Sequence, residues 1–372
     1  MKKLLIATDS FLPRWDGIAS FLAEVLPRLK KEYEITIIAP QWSVEDFTHE
    51  GVHVLRFPLS KRGFGDFILA KPSYRLIRHH VKEADLIWTQ TIGPIGFLTI
   101  MAARQQKKPV AAFIHSLEWE LFSRSIGWGG WLAHFFTQIF ARWVYNRCTL
   151  LMVPSLEVAE ILALQEIWTK KHVVPLGIDT QRFFPPENKD EAKKRIGIDP
   201  QEKVIGFIGR IAREKDLLTL YDAFERVRVK HKRVHLLIVG DGLDEIKNKM
   251  KDNLHVTLAG MQQDVVPYLQ AMDIFCLPSL TETTSLATLE AMACGCAVIA
   301  TPVGSIKKYL KDKKNGYLFP KGNALVLSLK LDWLLKNSYV RESIGKAARQ
   351  TVKDGYIWGK TIREIKEALV QL

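Results

Sequence analysis

"DIFCLPSLTETTSLATLEAMACGCAVIATP", residues 273–302, is the stretch that decides the fold. Its flanks, IFCL and AVIA, are unbroken apolar runs of strand length. Between them a short polar loop leads into LATLEAMAC, a segment of helical composition closed by Gly295. Strands that are apolar throughout, rather than alternating, belong to parallel sheets covered on both faces, and a helix between two of them supplies the crossover. Runs of the same kind recur as KLLIATD, EITIIAP, VHVLRFP, DLIWTQ, PVAAFIHS and LLMVPS, then as KVIGFIGR, HLLIVGD and HVTLAG. Segments of helical period separate them, so the expected fold class is α/β, with two doubly wound Rossmann-like domains.

A chain of 372 residues is long for one core, and two domains are the natural division. The segment VVPLGIDTQRFFPPENKDEAKKRIGIDPQEK is Pro-rich, charged and without period, and a new strand, VIGFIGR, follows it. It reads as a linker, placing one domain at residues 1–175 and the other at 176–372. The amphipathic end of the chain, about residues 355–372, is expected to pack back toward the first domain. With 47% hydrophobic and 25% charged residues the composition is that of a soluble globular protein, and no apolar run reaches membrane-spanning length. The opening MKKLLIATDSFLP resembles a signal peptide only superficially, because Asp9 interrupts it after a few residues; it reads better as a first strand. Cys148, Cys276, Cys294 and Cys296 lie in apolar surroundings without zinc-like spacing, as expected of buried thiols in a cytoplasmic protein. The net charge of +13 favours an anionic partner: nucleic acid, an acidic membrane surface or a phosphorylated substrate. Charge alone does not make a nucleic-acid binder, and no aromatic-basic module on a recognisable fold accompanies it.

Ligands of open α/β sheets bind beyond the carboxyl ends of the strands, so the loops after each strand carry the functional reading. After the first strand, Gly17 precedes a helix of apolar period, where backbone N–H groups can approach an anion. Many such turns hold a glycine for geometry alone, and the pattern is not the GxGxxG of dinucleotide enzymes. After KVIGFIGR, the loop GRIAREK carries Arg210 and Lys215, two cations that could converge on a diphosphate or form a solvated basic loop. In the opening stretch, Thr284 or Ser285 can cap the helix, Glu282 lies in the loop before it and Glu290 on its second turn. Two spaced carboxylates beside backbone donors suit a sugar and a ribose on either side of a diphosphate. The plain alternative is a capping acid and a surface glutamate, which fits poorly with a helix as apolar as this one.

The Glu282 to Glu290 spacing, followed by EAMACGCAVIATPVGSIKKYLKDKKNGYLF, resembles the hallmark of the retaining glycosyltransferases of family 4, which have the two-domain GT-B fold. DSFLPRWDG, FIHS, LMVPS, VVPLGID, RFFP, GRIAREK, LLIVGDG and LAGMQQDVVPYLQAMDIFCLPS extend the resemblance, in order, over nearly the whole chain. The resemblance implies that Arg210 and Lys215 hold the donor diphosphate and stabilise it as it leaves. It also implies that Glu282 contacts the transferred sugar near the backbone of Thr283, Thr284, Ser285 and Leu286, and that Glu290 binds the ribose. His115 would face the donor sugar, Gly17 would line the cleft, and Gly209 with the backbone near Gly260 and Met261 would complete the donor site. The chain departs from the family pattern at Ile18, Leu176, Asp216 and the Thr283–Ser285 loop, where glycine or asparagine is usual. These departures bear on the sugar rather than on the diphosphate and ribose.

The expected reaction is transfer of a hexosyl group from a nucleoside-diphosphate sugar, UDP- or GDP-linked, with retention of configuration. A retaining glycosidase needs two carboxyls about 5 Å apart, one of them a nucleophile. Here the resemblance implies front-side attack, positioned and stabilised by Arg210 and Lys215. No metal and no cofactor are expected, since no DxD-like pair ends a strand. The segment HSLEWELFSRSIGWGGWLAHFFTQIFARWVYNRC, rich in Trp and Phe with interspersed Arg, suggests a surface resting on an anionic bilayer, with a helix buried between domains as the alternative. A lipid or lipid-linked acceptor and a peripheral place at the membrane are therefore expected first, a soluble sugar or polysaccharide second, and a silent nucleotide-sugar-binding protein third.

Overall fold

The computed structural model describes residues 1–14, 16–42, 51–64, 67–125 and 130–372. Two compact units make up the chain: Met1–Pro175 together with Thr361–Leu372, and Leu176–Lys360.

The first unit holds strands β1 (Lys2–Ala7), β2 (Tyr33–Pro40), β3 (Val52–Phe57), β6 (Leu86–Thr89), β7 (Ala111–Phe113), β8 (Leu150–Val153) and β9 (Lys171–Val173) in one parallel sheet, ordered β3-β2-β1-β6-β7-β8-β9. A separate antiparallel pair, β4 (Leu59–Phe64) and β5 (Phe67–Ala70), lies between β3 and the next helix in sequence. Its helices are α1 (Gly17–Leu29), α2 (Tyr74–Glu83), α3 (Pro94–Gln105), α4 (Glu118–Ser125), α5 (Gly130–Tyr145) and α6 (Leu156–Leu164).

The second unit begins with helix α7 (Lys189–Arg195) and has its own parallel sheet, ordered β12-β11-β10-β13-β14-β15. Its strands are β10 (Lys203–Ile208), β11 (Val234–Val239), β12 (Val256–Leu258), β13 (Ile274–Leu277), β14 (Ala297–Ala300) and β15 (Tyr317–Leu318). Helices α8 (Leu217–Arg228), α9 (Asp244–Lys247), α10 (Val266–Ala271), α11 (Leu286–Ala293), α12 (Ile306–Tyr309), α13 (Ala324–Lys336) and α14 (Ser338–Gly355) follow. Helix α15 (Trp358–Val370) starts in the second unit and ends in the first.

Every residue of β8, β11, β13 and β14 is buried, the signature of strands covered on both faces. Both sheets grow outward from a central strand in two directions, so the strand order reverses between β1 and β6 and again between β10 and β13. Such reversal points open a crevice at the carboxyl ends of the strands. The four cysteines are buried free thiols, and burial pushes Cys148 up to about 12 and Cys296 up to about 11.

The expected linker is only partly one. Residues after Leu176 form α7, capped by Asn188, whose side chain accepts from the N–H groups of Asp190 and Glu191. The charged run read as a linker sends Lys193 inward. Its Nζ lies 3.0 Å from Asp273 Oδ2 and donates to the carbonyl of Glu202 at 2.8 Å, with both side chains of the pair buried. Asp273 also accepts the N–H of Val204, the second residue of β10, so this ion pair fastens α7 to the central strand. Removing one partner of a buried pair leaves an uncompensated charge. Lys193→Met is expected to destabilise the chain by roughly 3 kcal/mol; a denaturation midpoint equal to that of the wild type would show that the pair contributes nothing.

Candidate active site

The reversal between β10 and β13 gathers most of the residues singled out in the second unit. After β10 the chain passes Gly209 and Arg210 into a 3-10 turn, Arg213–Lys215, and enters α8 through Asp216 in the left-handed region, φ 50°. This backbone state explains why glycine is usual at that position. Asp216 meets it by accepting the Thr219 hydroxyl at 2.7 Å, and burial raises its pKa. Lys215 Nζ lies 2.5 Å from Glu282 Oε1, which also accepts the Ser279 hydroxyl at 2.8 Å. Arg210 is ion-paired with Glu214, a carboxylate only 2% exposed. The backbone carbonyl of Glu214 accepts the N–H of Leu280 at 2.8 Å, tying the cationic turn to the loop that carries Glu282.

The loop after β13 is fixed from its other side by residues 301–309. Ser305 donates from its hydroxyl to the Thr283 carbonyl at 2.6 Å and accepts the Thr284 hydroxyl at 3.0 Å. Gly304, at φ 50°, packs so closely that a side chain there would meet the Glu282 carbonyl at 2.0 Å. Ser285 is the cap of α11, accepting the Thr288 N–H at 3.2 Å, while its own N–H reaches the Tyr309 hydroxyl at 3.4 Å. Of the two candidate caps, Thr284 therefore serves the loop and Ser285 the helix. Leu286 opens α11 and Glu290 lies half-buried on its second turn. A side chain at Gly240 would meet the Gly209 carbonyl at 2.0 Å, so the loops after β10 and β11 approach backbone to backbone. Gly260, whose carbonyl accepts the Gly240 N–H at 2.8 Å, extends this rim, and the side chain of Met261 is exposed. The sequence reading missed Glu214, Ser279, Ser305 and Tyr309. Ser305, Tyr309 and the Glu214 carbonyl act through contacts distant in sequence, which carry no local signal, whereas Ser279 bonds Glu282 three residues on and Glu214 pairs with Arg210 four residues back.

In the first unit Gly17 opens α1, but the helix cap is Asp16, whose carboxylate accepts the N–H groups of Ile18 and Ala19, both at 3.0 Å. Two donors that an anion could have used at that terminus are thus engaged. His115 follows β7, half-buried. Its ring stacks on Phe113 with centroids 4.4 Å apart, and Nε2 donates to Gln90 Oε1 at 2.9 Å. Burial lowers its pKa to about 3, so the imidazole is neutral near pH 7. At the reversal between β1 and β6 lies Asp9, which the sequence reading used only as the break in the first apolar run. Its carboxylate accepts the Thr91 hydroxyl at 2.6 Å and the N–H of Ile95 at 2.9 Å, and burial raises its pKa.

Helix α5 turns its apolar face outward. Trp131, Leu132, Phe135, Phe136, Ile139, Phe140 and Trp143 are all exposed, from 39% to 74%, and their spacing is a single helical stripe. Only Ala141, Val144 and Tyr145 are buried. Trp168 is exposed as well, and its backbone N–H donates to Asn146 Oδ1 just beyond the helix. Of the aromatic segment noted in the sequence, residues 126–129 lie outside the described residues. No described helix is long and apolar enough to cross a membrane. Among the described residues, His172, Glu364 and Glu367 could offer metal ligands, but His172 engages Glu364 through Nε2 and Gln371 through Nδ1.

Two doubly wound units, the second with a cation pair and a carboxylate at its strand-order reversal, define a GT-B glycosyltransferase. The pattern described as Glycosyltransferase Family 4 matches residues 15–182, and that described as Glycosyl transferases group 1 matches residues 188–351. The chain belongs to this family. It is similar to the alpha-monoglucosyldiacylglycerol synthase of Streptococcus pneumoniae, 26% identical over 84% of this chain and 74% of that protein. It is also similar to the GDP-mannose-dependent alpha-(1-6)-phosphatidylinositol monomannoside mannosyltransferase of Mycolicibacterium smegmatis, 26% identical over 95% of each. Among solved structures, Anabaena HepE in complex with UDP-glucose shares the fold with a TM-score of 0.82 at 18% identity, over 100% of both chains.

The lowered pKa of His115 has a consequence for stability. An unfolded histidine takes a proton near pH 6.5, whereas the folded one does so only near 3. Between those values the unfolded chain binds more protons, so stability falls as pH falls. His115→Gln keeps a partner for Gln90 and removes the titration. Its melting temperature is expected to fall less than that of the wild type between about pH 7 and about pH 4.5. Equal losses would mean that the imidazole is not held neutral.

Proposed function

We propose that the protein transfers a hexosyl group from a UDP- or GDP-linked sugar to a hydroxyl of a membrane lipid, with retention and without a metal. The observation that carries the chemistry is the pairing of Lys215 with Glu282 beside Arg210, at the strand-order reversal of the second unit. A diphosphate entering there meets two cations and takes Lys215 from Glu282, which frees that carboxylate for the sugar hydroxyls. As the bond to the sugar breaks, negative charge grows on the departing diphosphate. Arg210, held by Glu214, and Lys215 are already in place to stabilise it, so this step asks nothing further of a cation. The acceptor hydroxyl attacks from the leaving-group side and the departing phosphate takes its proton. The neutral His115 is suited to hydrogen-bonding a hydroxyl rather than to giving up a proton, and Glu290 holds the ribose.

The acceptor reading rests on α5. A contiguous stripe of exposed Trp, Phe, Leu and Ile is unusual on a soluble surface, and it suits insertion at the boundary of headgroups and acyl chains. Arg147, its guanidinium 3.7 Å from the Trp143 ring centroid, places a cation beside the stripe, as anionic lipid requires. The two relatives named above carry lipid acceptors in their names, which supports the same reading.

Binding and slow hydrolysis of UDP-glucose, UDP-N-acetylglucosamine, UDP-galactose and GDP-mannose, with and without EDTA, test the donor. Lys215→Ala and Glu282→Ala are each expected to lower turnover of the preferred donor by about 10²- to 10³-fold. Wild-type turnover in both variants would sink the assignment, and loss of activity with EDTA would sink the metal-free reading. For the acceptor, the double change Trp131→Ser, Phe135→Ser is expected to abolish sedimentation with anionic vesicles and to reduce transfer to lipid at least tenfold relative to donor hydrolysis, about the effect of withdrawing two large aromatic anchors. Unaltered vesicle binding would remove α5 as the membrane face.

A further inference from the structure

Behind the exposed stripe, the first unit contains a pocket of about 590 Å³, lined by Ile92, Phe97, Leu98, Phe136 and Phe140, with Glu118 as its charged residue. Its size falls within the roughly 300–1,000 Å³ of small-molecule sites. Two of its walls, Phe136 and Phe140, belong to the stripe of α5, so the pocket is continuous with the surface assigned to the membrane. Glu118 opens α4, three residues beyond His115. Its Oε1 accepts the Tyr145 hydroxyl at 2.5 Å, while Oε2 is buried with no hydrogen-bond partner among the described residues.

We propose that this pocket receives one hydrocarbon chain of a neutral acylglycerol, with Glu118 Oε2 hydrogen-bonded to an ester carbonyl or hydroxyl oxygen at the head of that chain; the inference rests on the lipid-acceptor reading above and names its substrate class. The apolar lining selects a hydrocarbon. The single charged group selects what the chain carries: an acid in a mostly apolar wall, with Thr137 as the other polar side chain and no basic one among the lining residues, repels a phosphate and accepts a neutral oxygen. A phosphorylated prenyl chain would set its anion against the carboxyl. Burial pushes Glu118 up to about 7, which leaves it able to donate from Oε2 at neutral and lower pH. The titratable group in contact with it is Tyr145 on α5, itself raised well above the usual range by burial. The residues that α3 and the loop at Pro72 bring to the pocket are uncharged. Asp9 lies against Gly93, its carboxylate bonded to the start of α3.

The test is calorimetric titration of the full chain with monoacylglycerols from butyryl to dodecanoyl, held below their aggregation limits, with alkyl phosphates of matching length beside them. Affinity is expected to rise by up to about fourfold per added methylene, then level off as the pocket fills. The alkyl phosphates should bind more weakly at every length. Wild-type affinity should decline as pH rises through about 7, and Glu118→Gln, which still donates to an ester, should bind with no such decline. Leu98→Trp, which fills the pocket, should flatten the length series; if it does not fold, Thr137→Phe tests the same space. A length series that survives in the filled variant, or tighter binding of alkyl phosphates, overturns the proposal. Because binding is measured without donor, a pocket-dependent series with no transfer to lipid would uphold the pocket and refute the acceptor reading. Transfer to lipid with no pocket-dependent series would do the reverse.

Discussion

The second unit's site depends on one buried carboxylate. Glu214, 2% exposed, ion-pairs with Arg210 through its side chain and accepts the Leu280 N–H through its backbone. A charge this deep is tolerated because a guanidinium compensates it. The compensation fixes the guanidinium in turn, and the carbonyl fixes the loop on which Glu282 stands. Lys215, the residue after Glu214, then meets Glu282 with no further adjustment. The two cations and the carboxylate of Glu282 are positioned by the same residue, which is how a site made of loops acquires rigidity.

Much of this architecture was legible in the order of the residues. Unbroken apolar runs such as IFCL and AVIA could only be buried strands, and the polar loop between them could only sit at a sheet edge. What stayed hidden depends on partners far apart in the chain. Lys193 looked like one more charge in a linker, because its meaning comes from Asp273, eighty residues on in the chain. Glu214 looked like part of a basic loop, because Leu280 lies in another crossover. In α5 the sequence showed aromatic residues and arginines but not which way they faced; the structure puts Ala141 and Val144 inward and the large rings outward, opposite to the usual sense of an amphipathic helix.

The two units divide the physics between them. The second works with charge: paired cations and acids in short loops, close backbone approaches at Gly209 and Gly304, and a helix terminus capped by serine. The first works with apolar surface: a stripe on α5, a pocket behind it, and titratable groups such as His115 and Glu118 whose charged forms burial suppresses. Paired charges and exposed apolar surface are thus kept in separate units, since no single environment solvates both.

Helix α15 begins in the second unit and ends in the first, where Thr361 donates to the Pro175 carbonyl, Glu364 meets His172 on β9, and Lys366 pairs with Glu32. Strand β9 is the edge of its sheet, and among the described residues only β8 pairs with it. On a ribosome, the chain for both sheets emerges before the residues that contact this edge strand through His172. The second unit, made later, is complete up to Lys360, while the first still waits for its last twelve residues, Thr361 to Leu372. The unit synthesised first is therefore finished last, and its sheet edge stays open to mispairing until those residues have emerged.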